Sequence, residues 1–398
     1  MDFTLTPEQE AFRNKVRLWL KANVPKDWSD AVVSGPMVPR QEVTSFLREW
    51  QRKLYEAGFA GLTWPKEYGG QGLTYLEEMI FNEEMVLAKA PPQINILGLG
   101  MAGPAVIALG TEEQKKRYLA KMLSGEEIWC QGFSEPNAGS DLASLQTRAV
   151  RDGDSFIVNG QKVWTTLAQV ADRMMLVART DPAVPKHKGL TYFLLDMHSP
   201  GVIVRPLKQL TGDEEFNEVF FENVRIPAQH VLGDVNNGWQ VALTTLMYER
   251  LLLGFGLQIR LRLSLDDLIG LARRTTKNGA PVTHDPVVRQ QLAQLWIDTE
   301  AFKYTGLRAI TKLLRGEMPG PEASTGKIWW CETHQRLQAL AMELEGPYHQ
   351  LTQGSRYAID GGLWQHSFLR SLANSIEGGT TEIQRNIVAE RVLGLPKG

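Results

Sequence analysis

Residues 155–165, SFIVNGQKVWT, decide how this chain is divided. β-branched and aromatic residues crowd the stretch at a period near two, whereas the sequence on both sides has the period of helices. Similar runs surround it: EIWCQGF, QTRAVRD, RMMLVART, LTYFLLDM, GVIVRPLK and NEVFFENVRIP, all between residues 126 and 232. Short strands at this spacing predict a barrel or a sandwich. Asp152-Gly153 and Asn159-Gly160 read as hairpin turns within it.

Outward from this zone the period changes. TPEQEAFRNKVRLWLKANV has a Thr-Pro start, an acid in the first turn and helical apolar spacing. TSFLREWQRKLYEAGF and YLEEMIFNEEMVLAKA repeat the pattern, with the loop WPKEYGGQGL between them. Downstream, a long apolar run from NNGWQVALTTLMYER to LARR opens a second helical zone. A further long helix follows, then the loop GEMPGPEAST and two more helices. The expected architecture is α+β in three parts. An N-terminal helical domain spans 1–125, a middle antiparallel β-barrel or sandwich 126–234, and a C-terminal helical bundle 235–398.

Composition narrows the function. With 43% apolar and 22% charged residues the chain reads as globular. A net charge of −2 offers no field for nucleic acid or an anionic membrane. No apolar run approaches the ~20 residues of a membrane span. The start, MDFTLTPEQEAF, lacks the marks of a signal peptide. Cys130 and Cys331 form no CxxC and imply no disulfide framework, so a reducing, cytoplasmic setting is expected.

GLGMAG, residues 98–103, matches a dinucleotide fingerprint. That reading needs a strand before it, and an acid ~20 residues on where KKRYLA stands. Small residues at a close helix contact or a cavity wall are the better reading.

Other stretches carry chemistry. FSEPNAGSDL, 133–142, reads either as a plain turn or as one whose backbone N–H groups hold phosphate or ring heteroatoms. KVWTTL, 162–167, sets an indole beside two hydroxyls, either half-buried in a strand or stacked on a flat ring. In LMYERLLLGFG, Glu249 shares a helix face with Thr245, Leu246, Leu252 and Leu253. A carboxylate there is costly unless paired with an arginine such as Arg250, or used with a raised pKa as a base.

Together these motifs resemble the acyl-CoA dehydrogenase family almost end to end. The matches are WPKEYGGQGL, GTEEQKKRYL, FSEPNAGSDLASLQT, VNGQKVWTT, FFENVRIP and EGGTTEIQRNIVAERVLGLP. The resemblance implies helical, β and four-helix-bundle domains, FAD as cofactor, and an acyl-CoA thioester as substrate. It further implies electron-transfer flavoprotein as acceptor and a homotetramer or homodimer. In that chemistry a carboxylate removes the α-proton while the β-hydrogen leaves as hydride to the flavin. An oxidase or monooxygenase on the same fold, and a non-catalytic subunit of a heteromeric enzyme, are the alternatives.

Two glutamates compete for the base. Some members carry it in the C-terminal loop directly before a Gly-Thr pair. Aligned on GTTEIQR, that position is Gly378, and Glu377 falls one residue early. Members resembling isovaleryl- and long-chain acyl-CoA dehydrogenases place it on a helix directly before an arginine, as Glu249-Arg250 stands here. Glu249 is therefore the expected base. By the same resemblance Gln131, Phe133, Ser134 and Ser140 meet flavin, and Ser140 also lies near the CoA pyrophosphate. Trp164, Thr165 and Thr166 contact the isoalloxazine. Thr380, Glu382 and Arg274 also touch FAD, Arg250 serves CoA, and the Gly378 N–H faces the thioester carbonyl. The chain departs from the family at Glu343 and Pro347, which stand for Gln and Gly beside the shared FAD site. It departs again at Met247, often an aspartate.

Overall fold

The computed structural model describes residues 4–26, 28, 41–317 and 320–397, without the side chains of 41 and 250–255. Among these, the helices are α1 (Pro7–Asn23), α2 (Gln41–Glu56), α3 (Tyr75–Leu87), α4 (Gly103–Leu109), α5 (Glu112–Ser124), α6 (Gly238–Arg274), α7 (Pro286–Leu314), α8 (Ser324–Glu345), α9 (Leu363–Ser371) and α10 (Thr381–Arg391). The main strands are β1 (Trp129–Gly132), β2 (Arg148–Asp152), β3 (Ser155–Thr166), β4 (Arg173–Arg179), β5 (Leu190–Asp196), β6 (Val202–Leu207) and β7 (Phe216–Pro227). Every strand run expected from the sequence is present. The chain forms two compact units. One gathers the described residues of 1–35, 75–90 and 253–398, the other those of 36–74 and 91–252.

The second unit is built on one seven-stranded sheet in the order β1-β4-β2-β3-β7-β6, with β5 beside β4. Its β2–β3, β3–β7, β4–β5 and β6–β7 pairings are antiparallel. β4 runs parallel to both β1 and β2, each joined to it through intervening strands and not by a hairpin. Asp152 pairs with Ser155, so Gly153 and Asp154 make the hairpin turn expected there. Asn159-Gly160 does not turn. It lies inside β3 at a register shift, with Gly160 at φ 149°. A Cβ at Gly160 would stand 2.6 Å from Thr147 Oγ1 and 2.7 Å from its Cα, so close strand approach demands glycine.

Helices close this unit's core. Thr111 caps α5 through the Gln114 N–H, Gln114 returns the bond, and Gly125 ends the helix in the left-handed conformation. Tyr118 of α5 meets Trp129 of β1 edge to face, with ring centroids 5.3 Å apart. No strand precedes GLGMAG: residues 98–102 form a π-helical turn that leads into α4. A Cβ on Gly103 would lie 2.0 Å from Trp64 Cζ2, so the small residue serves close packing and not a dinucleotide.

The first unit is helical. Thr6 caps α1 in a reciprocal box with Gln9, and Arg17 of α1 grips Glu84 of α3 with two bonds of 3.0 and 2.7 Å. The apolar period of α6 places Leu261, Leu265, Leu268 and Ala272 against Phe302 of α7, Leu337 and Leu340 of α8, and Trp364 of α9. Three helices follow the Gly/Pro loop, not the expected two. Asp360, Gly361 and Gly362 all have positive φ (47°, 67° and 86°), which breaks the stretch and frees α9 as a separate helix.

Candidate active site

The site residues of the second unit gather where β1 ends beside β3. The register of β3 against β7 jumps between Lys162 and Thr165, which pair with Val219 and Asn217. One extra residue is thus inserted, a bulge. Trp164 sits in it with φ 58° and an indole 60% exposed, touched edge-on by Phe216. A bulky residue in the left-handed region stores strain, and an exposed indole gains little from water. Directly after it, Thr165 is wholly buried, yet its Oγ1 has no hydrogen-bond partner among the described residues. The same holds for Nε2 of Gln131 on β1. Burying unpaired polar atoms is costly, so both await a polar partner from outside the chain. A flat ring carrying nitrogen and oxygen atoms, such as the isoalloxazine of FAD, fits this set.

β1 is tied to β3 beyond its last paired residue. The Val163 N–H donates to Ser134 O at 2.9 Å. Lys162 Nζ, wholly buried, donates to Phe133 O at 2.9 Å and to Glu135 Oε1 at 2.8 Å. Glu135 also accepts the N–H groups of Gln146 (2.6 Å) and Thr147 (2.9 Å), so it ties the start of the stretch FSEPNAGSDLASLQT, 133–147, to its end. Burial pushes the Glu135 carboxyl up, but Lys162 and these donors outweigh it and hold it below its usual range. Burial pushes Lys162 down to about 8, still cationic at neutral pH. Neither residue was singled out from the sequence.

Phe133 is buried and packs edge to face on Tyr192 of β5, with centroids 5.9 Å apart. The Tyr192 hydroxyl meets Thr245 Oγ1 of α6 at 3.2 Å. Glu249 lies one turn further along α6, half-buried. The bulge, β1, β5 and the first turns of α6 thus form one connected set. Ser134 and Thr166 are half-buried within it, and Ser140 is exposed on the loop. The side chain of Arg250 lies outside the described residues.

The remaining site residues belong to the first unit. Gly378 and Gly379 have φ of 60° and 86°, and Thr380 caps α10 by accepting the Ile383 N–H at 3.2 Å. Glu382 is exposed in the first turn, and its carboxyl is held low by backbone N–H donation and the Thr381 hydroxyl. Glu377 is bound by Arg370 through both oxygens, at 3.2 and 2.9 Å. Arg274 is ion-paired with Asp360, which also accepts the Trp364 indole N–H at 2.8 Å. Beside them Glu345 is buried with one oxygen unpaired, and burial together with Asp360 pushes its carboxyl up to about 7.

Comparison with known proteins places this arrangement. Three family models tile the chain: acyl-CoA dehydrogenase N-terminal domain over residues 6–126, middle domain over 130–224, and C-terminal domain over 236–393. The chain belongs to the acyl-CoA dehydrogenase family, whose members are FAD-dependent oxidoreductases. Among its relatives is acyl-CoA dehydrogenase IpdE1 of Mycobacterium tuberculosis, 41% identical over 396 residues that cover 98% of each chain. Among solved structures, the "Tcur3481-Tcur3483 steroid ACAD" is 32% identical with a TM-score of 0.88 over all of both chains. The ChsE4-ChsE5 complex of Mycobacterium tuberculosis is 31% identical, with a TM-score of 0.87 over all of both chains.

Proposed function

We propose that the protein dehydrogenates an acyl-CoA thioester between its α- and β-carbons, with Glu249 as base and FAD bound at the β3 bulge. The observation that carries the reading is the bulge itself. It holds Trp164 outward in a strained backbone beside the unpaired Thr165 Oγ1 and Gln131 Nε2. FAD, when bound, accepts the hydride. Everything else falls to the chain. Trp164, Thr165, Thr166, Gln131, Phe133 and Ser134 hold the ring, with Thr380 and Glu382 as further contacts. Ser140 and Arg250 serve CoA. Glu249 takes the α-proton, and the N–H of Gly378 steadies negative charge on the thioester oxygen. The capture of Glu377 by Arg370 supports the choice of Glu249. Arg274, paired with Asp360, is the remaining contact in the FAD assignment.

Three domains divided near 125 and 235 belong to this reading, supported by the spans of the family models. So do a cytoplasmic setting, supported by two buried free cysteines, and electron-transfer flavoprotein as acceptor. Among the described residues no helix is long and apolar enough to cross a membrane. We take the acyl group to be steroid-derived, supported by the likeness to the steroid ACAD. A hetero-oligomer is the second reading beside a homotetramer. The ChsE4-ChsE5 relative is a complex of two chains, and the Arg274–Asp360 pair weakens this chain's own hold on a diphosphate.

Anaerobic addition of saturated acyl-CoAs, steroid-derived ones included, tests the reading. Bleaching of bound flavin by a member of the panel is expected. Glu249→Gln should slow that bleaching about 10²–10⁴-fold with flavin content unchanged. Bleaching at the wild-type rate would remove Glu249 as the base.

A further inference from the structure

The interior of the second unit holds a buried charge pair whose bonds tie the end of β1 to β3 and the start of the following loop to its end. Lys162 and Glu135 are both nine-tenths or more buried and lie 2.8 Å apart. Well-packed apolar residues commonly serve stability as well as a buried ion pair does, so the pair calls for another use. Its placement supplies one. Lys162 stands two residues before Trp164 and three before Thr165 on β3. Its ammonium is bonded across to Phe133 O, at the end of the strand that carries Gln131. That carbonyl shares its peptide unit with the N–H of Ser134. An ammonium on the oxygen draws electron density along the peptide and makes the N–H a stronger donor. Arg179, the other cation near the pair, is turned to the backbone of Ala143 and Leu145 on the same loop.

We propose that Lys162 is a positioning residue that raises the redox potential of a flavin held at the bulge, with Glu135 as its counterweight. A flavin gains negative charge when it takes up two electrons. A fixed cation beside it, acting through the Phe133–Ser134 peptide, stabilises the reduced form more than the oxidised one. Glu135 opposes that field while it holds the ammonium in place. This inference rests on the proposed flavin site, and it concerns how the chain tunes the cofactor, not whether it binds one.

The opposed charges make the test directional. Flavin midpoint potentials would be measured on purified wild-type holoprotein, Lys162→Met, Glu135→Gln and the double variant, against a reference dye at one pH. Lys162→Met should lower the potential. A tenfold shift of the oxidised–reduced equilibrium corresponds to about 30 mV for two electrons. Glu135→Gln should raise it, and the double variant should fall between the two. Near-ultraviolet circular dichroism on the same samples reports whether the fold is kept. Shifts of the same sign in both single variants, or none with flavin retained, would overturn the assignment. Loss of flavin from both single variants would reduce the pair to a structural staple and overturn it too. A wild-type protein that binds no flavin would instead sink the proposed function, which separates the two failures.

Discussion

Replacing Asn95 with alanine should cost the protein a large share of its stability. Asn95 is wholly buried in the turn before the π-helical segment. Its Nδ2 donates to Met122 O at 2.8 Å and to Glu127 O at 2.9 Å, and its Oδ1 accepts the Trp129 N–H at 2.9 Å. One amide thus ties the end of α5 to the first residue of β1. Alanine deletes all three bonds; Met122 O keeps the Gly125 N–H, but the Glu127 carbonyl and the Trp129 N–H lose the partner they had in Asn95. At about 1–2 kcal/mol for each orphaned group, the loss is about 2–4 kcal/mol. Against a typical stability of about 5–15 kcal/mol, that is a major fraction. Asn95→Asp should be no milder, since it keeps the acceptor but aims a carboxylate at two carbonyl oxygens. Urea unfolding followed by tryptophan fluorescence measures the loss. Because Trp129 opens the strand that carries Gln131, flavin retention should fall in step. Gly98→Ala should act on the same knot, since a Cβ there would sit 2.3 Å from Asn95 Oδ1. Its effect and that of Asn95→Ala should therefore be less than additive. An Asn95→Ala protein within about 1 kcal/mol of wild type would refute the reasoning, because the three bonds would then have found substitutes.

Two further outcomes can be checked with the same equipment. Glu345 is held neutral in the fold, near 7, whereas a carboxyl in an unfolded chain titrates near 4.3. The native state therefore binds more protons than the unfolded one between those values. Stability is fullest below about pH 4.3 and is lost as pH rises through 7, by at most about 4 kcal/mol at this site. Glu345→Gln should flatten that slope between pH 5 and 8, and an unchanged slope would show that the carboxyl is already ionised. Gly103→Ala should cost about 1–3 kcal/mol by overpacking, since its Cβ would meet buried Trp64. A silent substitution there would mean that the indole can move aside.

Much of the architecture was legible because periodicity reports burial directly. Each strand run, and the capped start of α1, came from patterns a few residues long. Asn159-Gly160 misled because its turn chemistry is indistinguishable from that of a bulge until the neighbouring strand is known. The glycine answers to Thr147, thirteen residues earlier and on no local pattern. α9 was missed because its start is set by three left-handed residues in a row, Asp360, Gly361 and Gly362, and not by a change of apolar period. The site divided the same way. Trp164 and Thr165 stood out as types beside one another, but the strain and the orphaned hydroxyl exist only in the folded register. Lys162, Glu135 and Asn95 were invisible because their partners lie 27 to 34 residues away.

The division of the chain into units bears on how it is made. Helices α1 and α3 belong to a unit whose remaining part begins at residue 253. A ribosome adding about 5–20 residues per second needs on the order of 10–30 s to travel from the end of α3 to that point. Throughout that interval the two helices have each other, through Arg17 and Glu84, but not their later partners. The sheet-bearing unit lacks this handicap, since its last residue precedes 253. Synthesis should therefore deliver a finished β-rich body while the N-terminal helices still wait as a holdase-dependent hairpin. In a nascent chain stalled near residue 260, protease sensitivity should concentrate in α1 and α3.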